Sequence, residues 1–124
     1  MSKGIILVVD DQPLIVKLVV AVLDDVGLDI MFAGHSRQAM DLAAEHRDRI
    51  RLLITDLRMS GMDGEELARE ISLHCPDLRV LFMSGEAISD VDLAEGPRRD
   101  FIAKPFAPAE LVRRVEALLS ESTQ

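Results

Sequence analysis

Five short, mostly apolar runs, each followed by a longer stretch of helical period, constrain this chain more than any other feature. The runs are Ile5–Val9, Leu28–Ala33, Leu52–Thr55, Leu78–Met83 and Asp100–Ala103. Strands that alternate with helices need crossover connections, so they form a parallel sheet with helices on both faces. After the first run, Leu14, Ile15, Leu18, Val19, Val22, Leu23 and Val26 make one broad apolar stripe. Pro13 is well placed in the first turn of that helix and Gly27 just past its end. Ser36 is the predicted N-cap of a second helix running to about Glu45. A third helix carries Leu67, Ala68 and Ile71 inward and stops before Pro76. The stretch GEAISDVDLAEGP predicts only a short or mobile fourth helix. Pro108 opens the last one, with Leu111, Val112, Val115, Leu118 and Leu119 facing in. The expected fold is α/β: a doubly wound five-stranded parallel sheet flanked by five helices. A closed eight-stranded barrel would need roughly twice the chain.

At 124 residues the chain is expected to be a single domain spanning 1–124, with no output domain. Met1-Ser2-Lys3-Gly4 leads directly into a strand, so neither a signal peptide nor a membrane span is expected. The single cysteine, Cys75, offers neither a disulfide framework nor a zinc cluster, and a cytoplasmic setting fits. A formal charge of −8 is the wrong sign for a binder of phosphate backbones, so no nucleic-acid partner is expected. Basic residues gather at Arg47–Arg51 and at Arg98–Arg99, where interspersed acids suggest solvated surface.

Chemistry is concentrated where the strands end. In open parallel sheets the functional crevice lies at the carboxyl ends of the strands. Here the first strand ends on Asp10 and Asp11, the third on Asp56 and the fourth on Ser84, while the fifth leads into Lys104. Taken singly, each has a plain structural reading: an aspartate turn or N-cap, a serine cap, a solvated lysine. Together they place three carboxylates on one edge, which cannot all stay ionised without counter-charge. A hard divalent cation and Lys104 are the natural counter-charges, and magnesium suits a site with few protein ligands.

The segments VVDD (8–11), TDLRMSGMDG (55–64), MSG (83–85) and FIAKPF (101–106) closely resemble the receiver domains of two-component response regulators. The resemblance covers nearly the whole chain and is especially close to receivers attached to hybrid histidine kinases. It implies a flavodoxin-like receiver fold and a phospho-accepting role in a phosphorelay, in which a phosphoryl group passes from a histidine to Asp56. Such a module is a signalling receiver rather than an enzyme with a separate substrate, although it catalyses its own phosphorylation and dephosphorylation. The resemblance further implies that Asp11, Asp56 and the backbone carbonyl of Arg58 bind Mg²⁺ or Mn²⁺, with Asp10 acting through a water. Lys104 and Ser84 would bind the phosphoryl group, and Ser84 and Phe101 would form the switch. The bond to Pro105 is expected to be cis. Arg58 and Glu86 would flank the attacking water and tune dephosphorylation. Two positions depart from the family pattern: Ser60 replaces a common proline, and Ala107 replaces a serine-type helix cap.

Partners implied in this way are a histidine kinase, a histidine phosphotransfer protein, or a second copy through the face of the fourth helix, fifth strand and fifth helix. An aspartyl-phosphate phosphohydrolase would want an aspartate where Arg58 stands and a cap domain for which there is no room. A flavin module would want stacking aromatics, yet Trp and Tyr are absent. A pseudo-receiver would lack a signature residue, and none is missing.

Overall fold

The computed structural model describes residues 4–59, 61–85 and 98–120. Its elements are β1 (Ile5–Val9), α1 (Pro13–Val22), β2 (Asp29–Ala33), α2 (Ser36–Glu45), β3 (Ile50–Asp56), α3 (Gly64–Ser72), β4 (Arg79–Ser84), β5 (Arg99–Ala103) and α4 (Pro108–Ser120). The five strands are parallel and ordered β2-β1-β3-β4-β5, so strand order reverses beside β1. This is the expected doubly wound architecture. The predicted fourth helix, Ser60 and Glu86 lie outside the described residues.

Alternation along β1 explains the layers. Ile5, Leu7 and Val9 face one core with Ala39 and Ala43 of α2 and Leu67, Ala68 and Ile71 of α3. Ile6 and Val8 face a second core with Val19 of α1, Leu23, and Leu111, Val115 and Leu118 of α4. Every β1 residue is therefore fully buried, as a central strand covered on both faces requires. Each such aliphatic side chain contributes about 1.5–3 kcal/mol.

Two expectations about the helices, the end of the first and the cap of the second, need correction. The inward stripe of α1 is narrower than its apolar content: Leu14 is 79% exposed and Leu18 40% exposed. One sheet face covers only part of a helix's circumference, and Ile15, Val19, Val22 and Leu23 already fill it. That helix ends at Val22, and a turn with Gly27 at φ +94° leads into β2. At α2 the cap is His35 rather than Ser36: its Nδ1 accepts from the Gln38 N–H at 3.2 Å, leaving Ser36 as the first helical residue. An imidazole nitrogen with a free lone pair serves this purpose as a hydroxyl would. Ala107 offers α4 no side-chain acceptor, but its carbonyl accepts from the N–H groups of Glu110 and Leu111.

The loop after β3 folds back tightly, and the Gly64 N–H donates to the Leu57 carbonyl at 3.0 Å. A Cβ at Gly64 would sit 2.3 Å from the Asp56 carbonyl oxygen, a backbone atom that cannot move aside. Gly64→Ala is therefore expected to cost about 1–3 kcal/mol through forced backbone shifts. Urea denaturation measures it, and an unchanged or higher midpoint would contradict the close approach.

Candidate functional site

The ladders of the sheet bring the strand ends together. The Asp10 N–H donates to Ala33, Leu57 N–H to Met83, and Lys104 N–H to Ser84 at 2.7 Å. Each bond ties the residue just past one strand to the end of its neighbour. Asp10, Asp56, Ser84 and Lys104 thus share the carboxyl edge of the sheet. Asp10 and Ser84 are almost fully buried, and Asp56 is 8% exposed. Asp11 lies exposed at the mouth.

Lys104 organises the centre. Its ammonium donates to Asp10 Oδ2 at 2.8 Å and lies 3.4 Å from Asp56 Oδ2. The other oxygen of Asp10 accepts from the Gln12 N–H at 2.9 Å. Asp10 therefore serves as both the strand-end turn residue and the partner of the buried cation, so the plain and the chemical readings coincide. Asp56 Oδ1 accepts a long bond, 3.4 Å, from the Arg58 N–H.

Burial pushes the Asp56 carboxyl above its ordinary range. The Lys104 ammonium opposes that rise, and the Asp10 carboxylate adds to it. Carboxylate oxygens of Asp10, Asp11 and Asp56 all lie within 4.8 Å of one another. Three carboxylates against one ammonium leave an excess of two negative charges, on hard oxygen donors opening to solvent at Asp11. That donor set fits a small divalent cation.

The Lys104–Pro105 bond is cis, as expected. Phe101 is half-buried, and its ring stacks on that of Phe82 with centroids 5.5 Å apart. The Arg99 guanidinium covers the Phe82 ring at 5.0 Å and pairs with Glu65 of α3 at 2.5 Å. Arg58 is exposed at the rim, close to Asp56 in sequence and through its N–H. Sequence reasoning missed Gly64, Thr55 and the Asp63–Glu66 capping box that starts α3. The Thr55 hydroxyl donates to the Asp56 carbonyl at 3.0 Å. Only the capping box has a local signal, an aspartate three residues before a glutamate.

A family model described as the response regulator receiver domain matches residues 6–116. Among curated relatives, the transcriptional regulatory protein AruR of Pseudomonas aeruginosa is 34% identical over 119 residues, covering 92% of this chain and 48% of that protein. The transcriptional regulatory protein SrrA of Staphylococcus aureus is 36% identical over 115 residues, covering 92% and 47%. The chain thus spans about half the length of these relatives. Among solved structures, the receiver domain of the hybrid histidine kinase CckA superposes with a TM-score of 0.80 at 28% identity, covering 94% of this chain and 99% of that one.

A raised carboxyl pKa makes the charge on Asp56 a cost to folding. Asp56 favours the fold while protonated, and that contribution is lost as pH rises through its folded-state value. In metal-free buffer at neutral pH, Asp56→Asn is expected to be more stable than the parent, by on the order of 1 kcal/mol. The two urea midpoints should converge as pH falls towards 3.8, the carboxyl's ordinary value. A variant less stable at neutral pH, or a gap independent of pH, would refute this assignment.

Proposed function

The chain belongs to the response regulator receiver domain family, and we propose that it accepts a phosphoryl group on Asp56 from a phosphohistidine. One observation carries this reading: a buried ammonium shared by two carboxylates, with a third carboxylate completing an oxygen cluster at the carboxyl edge of the sheet. An Asp56 carboxylate oxygen attacks phosphorus, and the P–N bond breaks with its electron pair leaving on the imidazole. An acyl phosphate forms. Phosphoryl transfer needs positioning and neutralisation more than covalent help. Lys104, already 3.4 Å from Asp56, holds its positive charge against the oxygens of the arriving group.

Asp11, Asp56 and the backbone carbonyl of Arg58 would hold Mg²⁺ or Mn²⁺, with Asp10 contributing through a water. Such an ion supplies further charge neutralisation on the transferring oxygens. The chain then catalyses its own phosphorylation and the later hydrolysis. Ser84 would donate its hydroxyl to a phosphoryl oxygen, and its inward movement would let Phe101 change rotamer. Phe101 touches Phe82, whose ring lies under Arg99, so a rotamer change reaches the Arg99–Glu65 pair on α3.

Residues 1–124 would act as one receiver unit whose output is protein contact. Leu14 and Leu18, one turn apart and exposed beside Asp11, suit the apolar surface of a histidine kinase or histidine phosphotransfer protein. The face of β5 and α4 would serve a second copy. Among the described residues no helix is long and apolar enough to cross a membrane. That fact and the acidic charge favour a cytoplasmic role with neither membrane nor nucleic acid as a direct partner.

Incubation with Mg²⁺ and acetyl phosphate is expected to add one phosphoryl group at Asp56, stable to acid and labile to base. Mass spectrometry should find it lost with Asp56→Asn or with EDTA. An unmodified parent chain would sink the proposal. Arg58 and Glu86 would together restrict the hydrolytic water, so Arg58→Ala should shorten the phosphate lifetime by roughly threefold or more. An unchanged lifetime would remove Arg58 from that role.

A further inference from the structure

We infer that the opposite edge of the sheet carries a second site, one that binds a small molecule bearing phosphate. Arg79 opens β4 and Ser84 closes it, so the two edges are separated by five residue steps, or roughly 16 Å. At the amino-terminal edge a cavity of about 490 Å³ is lined by Arg47 and Arg51 from either side of the start of β3, by Arg79, and by Arg98 just before β5. Volumes of this order suit small ligands. Four arginines line it, whereas the chain as a whole carries −8.

The carboxylates on the cavity wall, Asp48 and Asp77, do not balance the cluster. Among the described residues neither Arg47 nor Arg51 makes a salt bridge. Asp77 lies 3.7 Å from Arg98 and is 92% exposed, a weak partner. Arg79 is the decisive residue. It is 6% exposed, and its Nε is the one buried side-chain polar atom among the described residues without a hydrogen-bond partner. A guanidinium has five N–H donors. Arg79 Nη1 donates to the Asp77 carbonyl, and Arg98 Nη1 donates to the Pro76 carbonyl at 3.0 Å. These two bonds fix the forks against the loop between α3 and β4, and the Arg79 Nε–H stays unpaired among the described residues.

The carboxyl ends of α2, α3 and α4 point to this edge, and their partial negative charge attracts cations. That accounts for exposed arginines at the rim. It does not account for a nearly buried guanidinium at the first position of a central strand, desolvated and incompletely paired. A phosphate group, with several acceptor oxygens and more than one charge, matches forked donors from several directions.

Titration with inorganic pyrophosphate in metal-free buffer, followed by ¹⁵N NMR, tests the site. Expected are saturable shifts at residues 47–51, 74–79 and 98, including the Arg79 Nε–H, with a Kd below about 1 mM. Arg79→Gln risks misfolding, so Arg98→Gln and Arg51→Gln are the variants of choice. Each should weaken binding at least about tenfold, while Asp56→Asn leaves it unchanged. Shifts that grow linearly and match those from sodium chloride at equal ionic strength would overturn the site. So would equal affinity in both arginine variants, and the arginines would then serve the helix ends alone.

Discussion

One ammonium joins two parts of the chain that are 94 residues apart. Lys104 meets Asp10 with its side chain 13% exposed and that of Asp10 wholly buried. Breaking such a pair by removing one partner leaves an uncompensated buried charge. The geometry of the carboxyl edge follows from that contact. Asp10 turns the chain into α1, Lys104 fastens the end of β5 to the end of β1, and Asp56 is drawn into the space between. The site is held by its own electrostatics as much as by the sheet beneath it.

The sheet in turn has two differently charged edges. Its carboxyl edge gathers aspartates where helix amino ends begin, and its amino edge gathers arginines where helix carboxyl ends finish. Parallel βα units impose this, since every helix runs antiparallel to the strands and all the dipoles align. Between the edges lie two apolar cores, one on each face, filled by alternate residues of the same strands. The core keeps the edges apart, and chemistry at one edge need not disturb the other.

The central strands were plain from the sequence because IILVV at β1 can be buried on both faces and has no other stable use. The site aspartates were equally plain, since a carboxylate at the end of such a run stands out. Leu14 and Leu18 lie exposed because an apolar stripe records what a helix can bury, not how much surface its neighbours offer. His35 was overlooked because Ser36 has the stronger intrinsic tendency to cap, while the actual cap depends on where the chain leaves β2. Arg98 and Arg99 were taken for solvated surface. Arg99 instead spans Phe82 and Glu65, and Arg98 borders the arginine cavity.

By itself the sequence determined the alternation of strands and helices, the strand ends that carry chemistry, and the likeness to a known family. These are properties of periodicity and residue type, readable within a window of a few residues. Tertiary structure alone decided which oxygen of Asp10 turns the backbone and which meets Lys104. It decided that Gly64 must lack a side chain because the Asp56 carbonyl lies where a Cβ would go. It also decided that arginines from three separate stretches of the chain line one cavity. Such facts depend on distances between residues far apart in the chain, and those distances exist only once the sheet has closed its register.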